Sequence, residues 1–231
     1  SLRHVPRGLV CHWVAGNVPL LALFSWAVSV VLGNRNLIRL SSRQEDVVSP
    51  FLHALKNVSE TGERIAEETV VVSFPSGDKA ANRVMSEAAD AHIAWGGEEA
   101  VSAVRSLPAP WECEDIVFGP RVSLAVVDPA AIEEKAIRRL ALDAAIFDQL
   151  ACSSPQCVFV KGTRESAGFR DFLAAFADAF ADVTKAYPRH PLDFSETYTI
   201  GLDRARALLE GAEVERDRGT EWTVAVLDRP N

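Results

Sequence analysis

The stretch GLVCHWVAGNVPLLALFSWAVSVVLGNRNLIRL, residues 8–40, contains the pattern that decides the fold. Residues 8–14 and 36–40 are short apolar runs of the length expected for buried strands. Between them lie a loop at 15–19 and a long apolar segment, and Pro19 suits the first turn of a helix there. The stretch therefore predicts a strand, a helix and a second strand.

The same alternation continues along the chain. Strands are predicted at 69–74 and 91–95, and helices at 79–88, at 96–107 and after an N-cap at Ser41 or Ser42. Repeated strand–helix units are typical of an α/β protein whose parallel strands are joined by crossover helices. Such sheets bind ligands at the carboxyl ends of their strands. The loops in question are 15–19, 40–44, 75–79 and 95–99.

The pattern changes near residue 108. Two strand-like pieces flank Gly119 and Pro120, and a helix is predicted over 129–147 with Pro129 near its first position. A strand at 157–160, a helix over 165–184, a helix over 203–212 and a strand at 221–228 complete the chain. Phenylalanines 169, 172, 176 and 180 have the spacing of one buried helix face. We predict two domains, 1–118 and 119–231.

Composition excludes several classes of protein. Of the 231 residues 48% are hydrophobic, and the net charge of −8 disfavours a nucleic-acid partner, which needs a basic face. The apolar run 18–33 is too short to span a bilayer comfortably, so we expect a helix buried against the sheet and no stable membrane insertion. The four cysteines form no C-x-x-C pair. We expect free thiols, no metal site and a cytoplasmic location.

The segment FDQLACSSPQCVFV, residues 147–160, holds two of the cysteines between a helix and a strand. Small neighbours, Ala151 and Ser153, leave room at Cys152 for a reacting carbon, and backbone N–H groups at such a loop can stabilise a thiolate. The nearest histidine in sequence is His190. On these residues alone Cys152 is either a nucleophile or a small buried hydrophobe.

Five segments, AGNVP (15–19), LIRLSS (37–42), AWGGEEAV (94–101), VFGPRVSLAVVD (117–128) and the cysteine segment, occur in an order that resembles the acyl-CoA reductase family. This family supplies long-chain aldehydes in bacterial luminescence and is a branch of the aldehyde dehydrogenase superfamily. The resemblance implies an aldehyde-dehydrogenase-like α/β fold, with a parallel Rossmann-type cofactor domain and an α/β catalytic domain. Family members are longer, so we expect both domains to be partial, with the chain incomplete at one or both ends.

The resemblance implies roles for three residues of the catalytic chemistry. Cys152 falls at the nucleophile that takes the acyl group as a thioester, and Asn17 falls at the asparagine whose amide helps to form the oxyanion hole. Val117 stands where aldehyde-oxidising relatives carry the glutamate that activates hydrolytic water, and Glu114 and Asp115 stay open as nearby carboxylates that could serve as that base. Slow hydrolysis would leave the thioester available for reduction.

The resemblance also implies a cofactor site. Arg39 takes the place of a lysine that contacts the adenosine ribose, Ser41 follows it, and Ser42 stands where NAD-preferring relatives often carry a glutamate. A cation without a nearby carboxylate tolerates a 2′-phosphate, which predicts NADPH. Gly96, Gly97 and Glu98 match the turn near the cofactor pyrophosphate and nicotinamide.

We therefore expect an NADPH-dependent acyl-thioester reductase that forms an aldehyde through acyl-Cys152. The acyl donor is acyl-CoA, or an acylated synthetase or carrier protein, and the full-length form is expected to be a homo-oligomer. Two alternatives stay open at this point. One is a CoA-acylating or hydrolytic aldehyde dehydrogenase, and the other is a catalytically incomplete fragment that acts as a binding or assembly domain.

Overall fold

The computed structural model describes residues 5–16, 18, 20–41 and 45–227. The chain divides into two compact units, which meet between Pro120 and Arg121. The boundary predicted from the sequence lies two residues earlier.

The first unit contains a five-stranded sheet in the order β3-β2-β1-β4-β5, with every pair of neighbours parallel. This confirms the predicted parallel sheet with crossover helices. Its elements are β1 (Leu9–Trp13), α1 (Leu21–Val31), β2 (Arg35–Leu40), α2 (Val48–Lys56), α3 (Glu60–Glu67), β3 (Thr69–Ser73), α4 (Lys79–Glu87), β4 (Ala91–Trp95), α5 (Glu98–Arg105) and β5 (Glu114–Phe118).

The register of the sheet brings the carboxyl ends of its strands to one edge. Trp13, the last residue of β1, lies opposite Arg39 of β2 and Ala94 of β4. Trp95 and Phe118, the last residues of β4 and β5, are also opposite each other. The loops that the sequence singled out after β1, β2 and β4 therefore leave from the same edge.

Apolar clusters form on the two faces of this sheet. One includes Cys11, Trp13 and Met85, and the other includes Trp26, Ile38 and Val48. Burial of these side chains supplies the main stabilisation of the unit, at roughly 25 cal/mol per Å² of apolar surface.

Helix α1 is only partly buried, contrary to the expectation for residues 18–33. Trp26 is 5% exposed against the sheet, whereas Phe24, Val28 and Val31 on the other side are 61%, 51% and 85% exposed. The polar residues of the helix, Ser25 and Ser29, lie on its buried face, so apolar periodicity in the sequence does not reveal which face is covered. None of the described helices combines the length and apolar character that crossing a bilayer requires.

The predicted N-cap at Ser41 or Ser42 is wrong for Ser41, and Ser42 lies outside the described residues. Helix α2 begins at Val48, where Asp46 Oδ1 accepts the backbone N–H groups of Val48 and Ser49 at 3.0 and 2.9 Å. The N-cap residue is Val47, and Asp46 just before it accepts these N–H groups from a position nearer the apolar periodic segment than Ser41.

The second unit contains two separate strand pairs. Parallel β6 and β7 form one, and antiparallel β8 and β9 form the other. The predicted helix start at Pro129 is wrong, because residues 128–132 form a turn on the carbonyl and carboxylate of Asp128 before the helix begins. The elements are β6 (Ser123–Val127), α6 (Glu134–Ala145), β7 (Pro155–Val160), α7 (Ala167–Ala186), α8 (Phe194–Leu209), β8 (Glu213–Arg216) and β9 (Thr223–Val226).

The core of this unit is built on the phenylalanine face of α7, as the spacing predicted. Phe172, Phe176 and Phe180 are 4–7% exposed and pack against Ile137 and neighbouring residues of α6. The ring centroids of Phe176 and Phe180 are 5.2 Å apart in an edge-to-face arrangement, one of the geometries that aromatic pairs prefer. Phe169 is half-buried at the end of the row.

Phe176→Ala is expected to lower the free energy of unfolding by about 3–5 kcal/mol, because it opens a cavity in this core. The matched variant Phe194→Ala removes a ring that is 86% exposed and is expected to change stability by less than about 0.5 kcal/mol. Denaturant unfolding followed by circular dichroism measures both. Equal effects of the two substitutions would contradict the assignment of this core.

Candidate active site

Cys152 lies in the loop between α6 and β7, and its side chain is exposed. The loop around it is anchored: Ser123 Oγ donates to the Cys152 carbonyl at 2.6 Å, and Ser154 N donates to the Ala151 carbonyl at 3.0 Å. Ala151 and Ser154 on either side are 6% and 0% exposed. The alternative of a small buried hydrophobe is therefore wrong for Cys152. Its catalytic role stays a prediction.

The backbone just before Cys152 is strained. Phe147, Asp148 and Gln149 follow one another with φ of 58°, 55° and 64°, and none of them is glycine. The left-handed conformation costs an ordinary residue roughly 1–2 kcal/mol, so surrounding contacts must hold three such residues in place. Strain of this kind clusters at active sites and ligand clamps. The sequence pattern does not predict this turn, because it contains no glycine or asparagine.

Several contacts hold this left-handed turn. Within it, Leu150 N donates to the Phe147 carbonyl at 2.9 Å. Gln156 Nε2 donates to the Gln149 carbonyl at 3.0 Å and so ties the turn to β7. The backbone N–H of His190 lies 3.4 Å from Asp148 Oδ2, and His190 Nδ1 lies 3.6 Å from the same oxygen.

His190 thus contacts the turn rather than the thiol. Among the described residues no hydrogen bond joins it to Cys152. A cysteine–histidine pair is not part of this geometry. Asp148 and His190 are structural supports of the loop, and the sequence did not identify them because 42 residues separate them.

The four cysteines are all free thiols, and their surroundings differ. Cys11 is fully buried in the first unit, and burial, with smaller effects of Cys113 and Asp90, raises its pKa to about 12. Burial is also the main cause that raises the pKa of Cys113. Within the described part of the chain, no three or more His, Cys, Asp or Glu side chains are grouped as a metal site would require.

Arg39 lies at the carboxyl end of β2 and is only 8% exposed. Its Nε and Nη2 donate to the Phe74 carbonyl at 3.3 and 2.9 Å, and its guanidinium carbon is 5.4 Å from the centroid of the Phe74 ring. Burial lowers the pKa of Arg39. Arg39 is therefore held in place by the protein and is not an ordinary exposed surface arginine. Ser41 follows it half-buried, whereas Asn17 and Ser42 lie outside the described residues.

The Gly96–Gly97 turn follows β4 at the same edge. Gly96 N donates to the Phe118 carbonyl at 3.2 Å, and φ at Gly96 is +159°. A Cβ added at Gly97 would meet no atom within 4 Å, so its backbone can be approached closely. Gly97 is the N-cap of α5 and offers no side chain to the helix start, while Glu98 and Glu99 occupy the first turn.

Ser86, His92 and Asp115 contact one another in the order of a catalytic triad, but the serine is not accessible to solvent. His92 Nδ1 lies 2.9 Å from Asp115 Oδ1, and His92 Nε2 lies 3.1 Å from Ser86 Oγ. Ser86 is 0% exposed, and its hydroxyl donates to the Pro108 carbonyl at 2.9 Å. A nucleophile must reach solvent and hold its hydrogen toward the base, so this set is a structural network.

Residues 1–230 match the family described as acyl-CoA reductase (LuxC). The chain belongs to this family. It is 27% identical over 224 residues to the long-chain acyl-protein thioester reductase of Photorhabdus luminescens, covering 96% of this chain and 45% of that one. It is 29% identical over 224 residues to the enzyme of the same name from Aliivibrio fischeri, with the same coverage. The chain thus spans just under half the length of these curated relatives.

Solved structures confirm the predicted fold. An NAD-dependent benzaldehyde dehydrogenase from Corynebacterium glutamicum aligns with 94% of this chain and 48% of its own, at 19% identity and a TM-score of 0.61. An NAD-dependent aldehyde dehydrogenase from Burkholderia multivorans aligns with 96% of this chain and 42% of its own, at 14% identity and a TM-score of 0.63. The fold is aldehyde-dehydrogenase-like, as the segments in the sequence implied.

Val117 lies near the carboxyl end of β5, whereas Glu114 and Asp115, the two carboxylates considered as the base, lie at its amino end. The register of β4 and β5 pairs Glu114 with Ala91 at the amino ends, and Phe118 with Trp95 at the carboxyl ends. Glu114 and Asp115 therefore lie roughly 10 Å or more from the ligand edge, at about 3.3 Å per residue. Arg7 pairs with Glu114 at 2.9 Å, and His92 with Asp115.

Iodoacetamide at pH 8 is expected to modify Cys152 first and to leave Cys11 unmodified until the protein unfolds. The Cys152 side chain is exposed, whereas the thiol of Cys11 is buried and its raised pKa keeps it protonated far above pH 8. Peptide mass spectrometry over a time course measures the order. Modification of Cys11 ahead of Cys152 in folded protein would contradict the structure.

Asp148→Asn is expected to keep the stability of the protein within about 0.5 kcal/mol, because asparagine tolerates the left-handed conformation and retains an acceptor oxygen. Asp148→Val is expected to destabilise by about 2 kcal/mol, because a β-branched residue fits this conformation poorly and removes the acceptor. Denaturant unfolding compares them. Similar values for both variants would show that the turn is not left-handed at this position.

Proposed function

We propose that Cys152 is the acyl-accepting nucleophile in an NADPH-dependent reduction of an acyl thioester to an aldehyde. The observation that carries the proposal is an exposed thiol on an anchored loop, directly after a strained turn, in a chain of the acyl-CoA reductase family. The printed names of relatives in that family, long-chain acyl-protein thioester reductases, support the reaction class.

The first step is acyl transfer. The Cys152 thiolate attacks the carbonyl carbon of the donor thioester, the bond from that carbon to the donor sulfur breaks, and the donor thiolate leaves and takes up a proton. Thiolates are good nucleophiles and good leaving groups, so the acyl group can be both accepted and released at this sulfur. The predicted oxyanion donors are the Asn17 amide and backbone N–H groups of the loop. Ser154 N–H is already used by the Ala151 carbonyl, which favours those of Cys152 and Ser153.

The second step releases the aldehyde. NADPH, when bound, supplies the hydride for the acyl carbon. The bond between that carbon and Cys152 Sγ then breaks, the aldehyde leaves, and the thiolate is restored for another cycle. An oxyanion forms on the carbonyl oxygen in both steps. Hydrogen-bond donors at this oxygen stabilise its negative charge and therefore favour both steps.

The residues at the carboxyl edge of the first unit fit a dinucleotide. The backbone at Gly97 is open to close approach, as a pyrophosphate requires. Arg39, at the end of β2 and two strands away from the turn after β4, supplies a cation for a 2′-phosphate, although part of its guanidinium is engaged by Phe74. In this proposed site Gly96 shapes the turn after β4, and Ser41 follows the end of β2. We assign Glu98 a place at its border, because a carboxylate repels phosphate.

The residues at and near Val117 favour reduction of acyl-Cys152 over its hydrolysis, because they supply no base to activate water. The side chain of Val117 carries no base. Glu114 and Asp115 lie at the other end of β5, where Glu114 pairs with Arg7 and Asp115 contacts His92 and Arg105. Hydrolysis of acyl-Cys152 therefore lacks the base that the oxidising branch of the superfamily uses.

We propose acyl-CoA, or an acylated synthetase or carrier protein, as the donor, with the reaction in the cytoplasm. Four free thiols support a reducing compartment. Assembly of the full-length form into a homo-oligomer stays a prediction from the resemblance.

Intact mass spectrometry after mixing the protein with a long-chain acyl-CoA tests the proposal. A single acyl adduct is expected on the wild type and on the matched variant Cys157→Ala, and none on Cys152→Ala. Addition of NADPH is expected to remove the adduct at least ten times faster than NADH does.

Two results would overturn parts of the proposal separately. An adduct that persists on Cys152→Ala, or that never forms on folded wild type, would remove Cys152 as the acceptor. Loss of the adduct at equal rates with NADPH, NADH or buffer alone would refute the reductase chemistry and its cofactor.

A further inference from the structure

Helix α8 is attached to the second unit through a charged side chain. None of its residues is buried, and only Ile200, Arg204 and Ala207 are half-buried. Arg204 donates from Nε to Thr223 Oγ1 at 2.7 Å and from Nη2 to the Trp222 carbonyl at 2.9 Å. The guanidinium therefore anchors one side of the helix to the β8–β9 hairpin, and the opposite side faces outward.

The outward side of α8 is apolar along its whole length. We call it the α8 face, and it consists of Phe194, Tyr198, Gly201, Leu202, Ala205, Leu208 and Leu209, all exposed. Their spacings of three and four residues place them on one side of the helix. The five large side chains are 48–90% exposed. They present roughly 600 Å² in one patch, at the upper limit for a monomer, and patches of this size mark interaction sites.

Gly201 lies in the middle of the α8 face, and the described chain gives no reason for a glycine there. Its backbone is helical, and a Cβ added to it would meet no atom within 4 Å. Glycine weakens the interior of a helix relative to alanine, because it loses more backbone freedom on folding. A second helix that approaches the backbone closely at this point would use the missing side chain.

The pattern of the α8 face matches a second copy of itself. Three pairs of its residues are centred on the peptide bond between Gly201 and Leu202, namely these two, Tyr198 with Ala205, and Phe194 with Leu209. A two-fold axis at that bond relates two antiparallel helices and brings the members of each pair opposite each other. Tyr198 then lies over Ala205 of the second copy. Leu202 lies over Gly201 of the second copy, so in both places a large side chain meets a small one.

We propose that two copies of this chain associate through the α8 face, with the two helices antiparallel about a two-fold axis at Gly201 and Leu202. The face has no charge to desolvate, and Arg206 at its border comes opposite Thr197 of the second copy, so like charges do not meet. Roughly 1,200 Å² is covered over both copies, the low end for a specific interface. We expect a dissociation constant of about 10–100 µM. The inference does not depend on the chemistry proposed for Cys152.

Sedimentation velocity of the whole chain from about 1 to 300 µM tests the association. The wild type is expected to pass from monomer to dimer over this range. Leu202→Glu is expected to raise the dissociation constant at least about tenfold, because two carboxylates then meet beside the axis. Val28→Glu is the matched control on α1, since Val28 is 51% exposed and Leu202 is 48% exposed. It is expected to dimerise as the wild type does.

Gly201→Leu separates a specific contact from general stickiness. The variant is expected to fold with a raised thermal midpoint at low concentration, because its Cβ meets no atom and leucine favours a helix more than glycine does. It adds apolar surface, yet it is expected to weaken the dimer at least about tenfold, because it fills the space that the second helix needs. Thr199→Leu adds the same side chain outside the α8 face, and it is expected to leave the dimer unchanged.

Cysteine cross-linking under mild oxidation tests the orientation of the helices. Both variants carry Cys152→Ser, which removes the exposed native thiol. Leu202→Cys places a thiol beside the axis and is expected to give a disulfide-linked dimer. Phe194→Cys is the control at the end of the helix, roughly 22 Å from its equivalent in an antiparallel pair and too far for a disulfide.

Three results would overturn the inference. A wild type that stays monomeric at every concentration would leave the α8 face to a different occupant. An unchanged dimer in Leu202→Glu, or a stronger one in Gly201→Leu, would show that association does not use this close contact. A cross-link through Phe194→Cys as efficient as that through Leu202→Cys would refute the antiparallel pairing. Acyl labelling of Cys152 is measured separately and is not decided by any of these results.

Discussion

The parallel pairing of β1 with β2 on one side and β4 on the other is the constraint on which the first unit depends. Parallel strands need crossover helices, and these return each chain segment to the same end of the sheet. As a result, residues far apart in sequence, such as Arg39 and Gly97, leave the sheet at one edge. A register shift of one residue in β4 would turn Trp95 to the opposite face and break both its stack on Phe118 and its hydrogen bond to Ser25.

The second unit holds the Cys152 side chain in an exposed position on a loop. A short loop between a helix and a strand is ordinarily mobile. Here Ser123, Gln156 and Asp148 bind its backbone or its neighbours, and the left-handed turn is the conformation that satisfies these contacts together. The free-energy cost of the left-handed turn is offset by these hydrogen bonds and by the phenylalanine core that packs against α6.

Much of this architecture was predictable from sequence, and the failures have physical causes. The strands at 8–14, 36–40, 69–74 and 91–95 were found because short apolar runs bounded by turn residues define them. The start of α2 is misplaced because Asp46, rather than Ser41, accepts the first backbone N–H groups of the helix. The start of α6 is misplaced because Asp128 forms a turn before the helix begins. Contacts across many residues, such as Trp95 with Phe118 or Asp148 with His190, have no local signature and required the register and the fold.

The exposure of Cys152 has a further chemical consequence. An exposed thiol is open to peroxide, and oxidation to a sulfenic acid would block the sulfur until a cellular thiol reduced it. Cys11, sealed in the sheet, is protected from the same reagents. Under oxidising conditions Cys152 is therefore the thiol expected to be modified before Cys11.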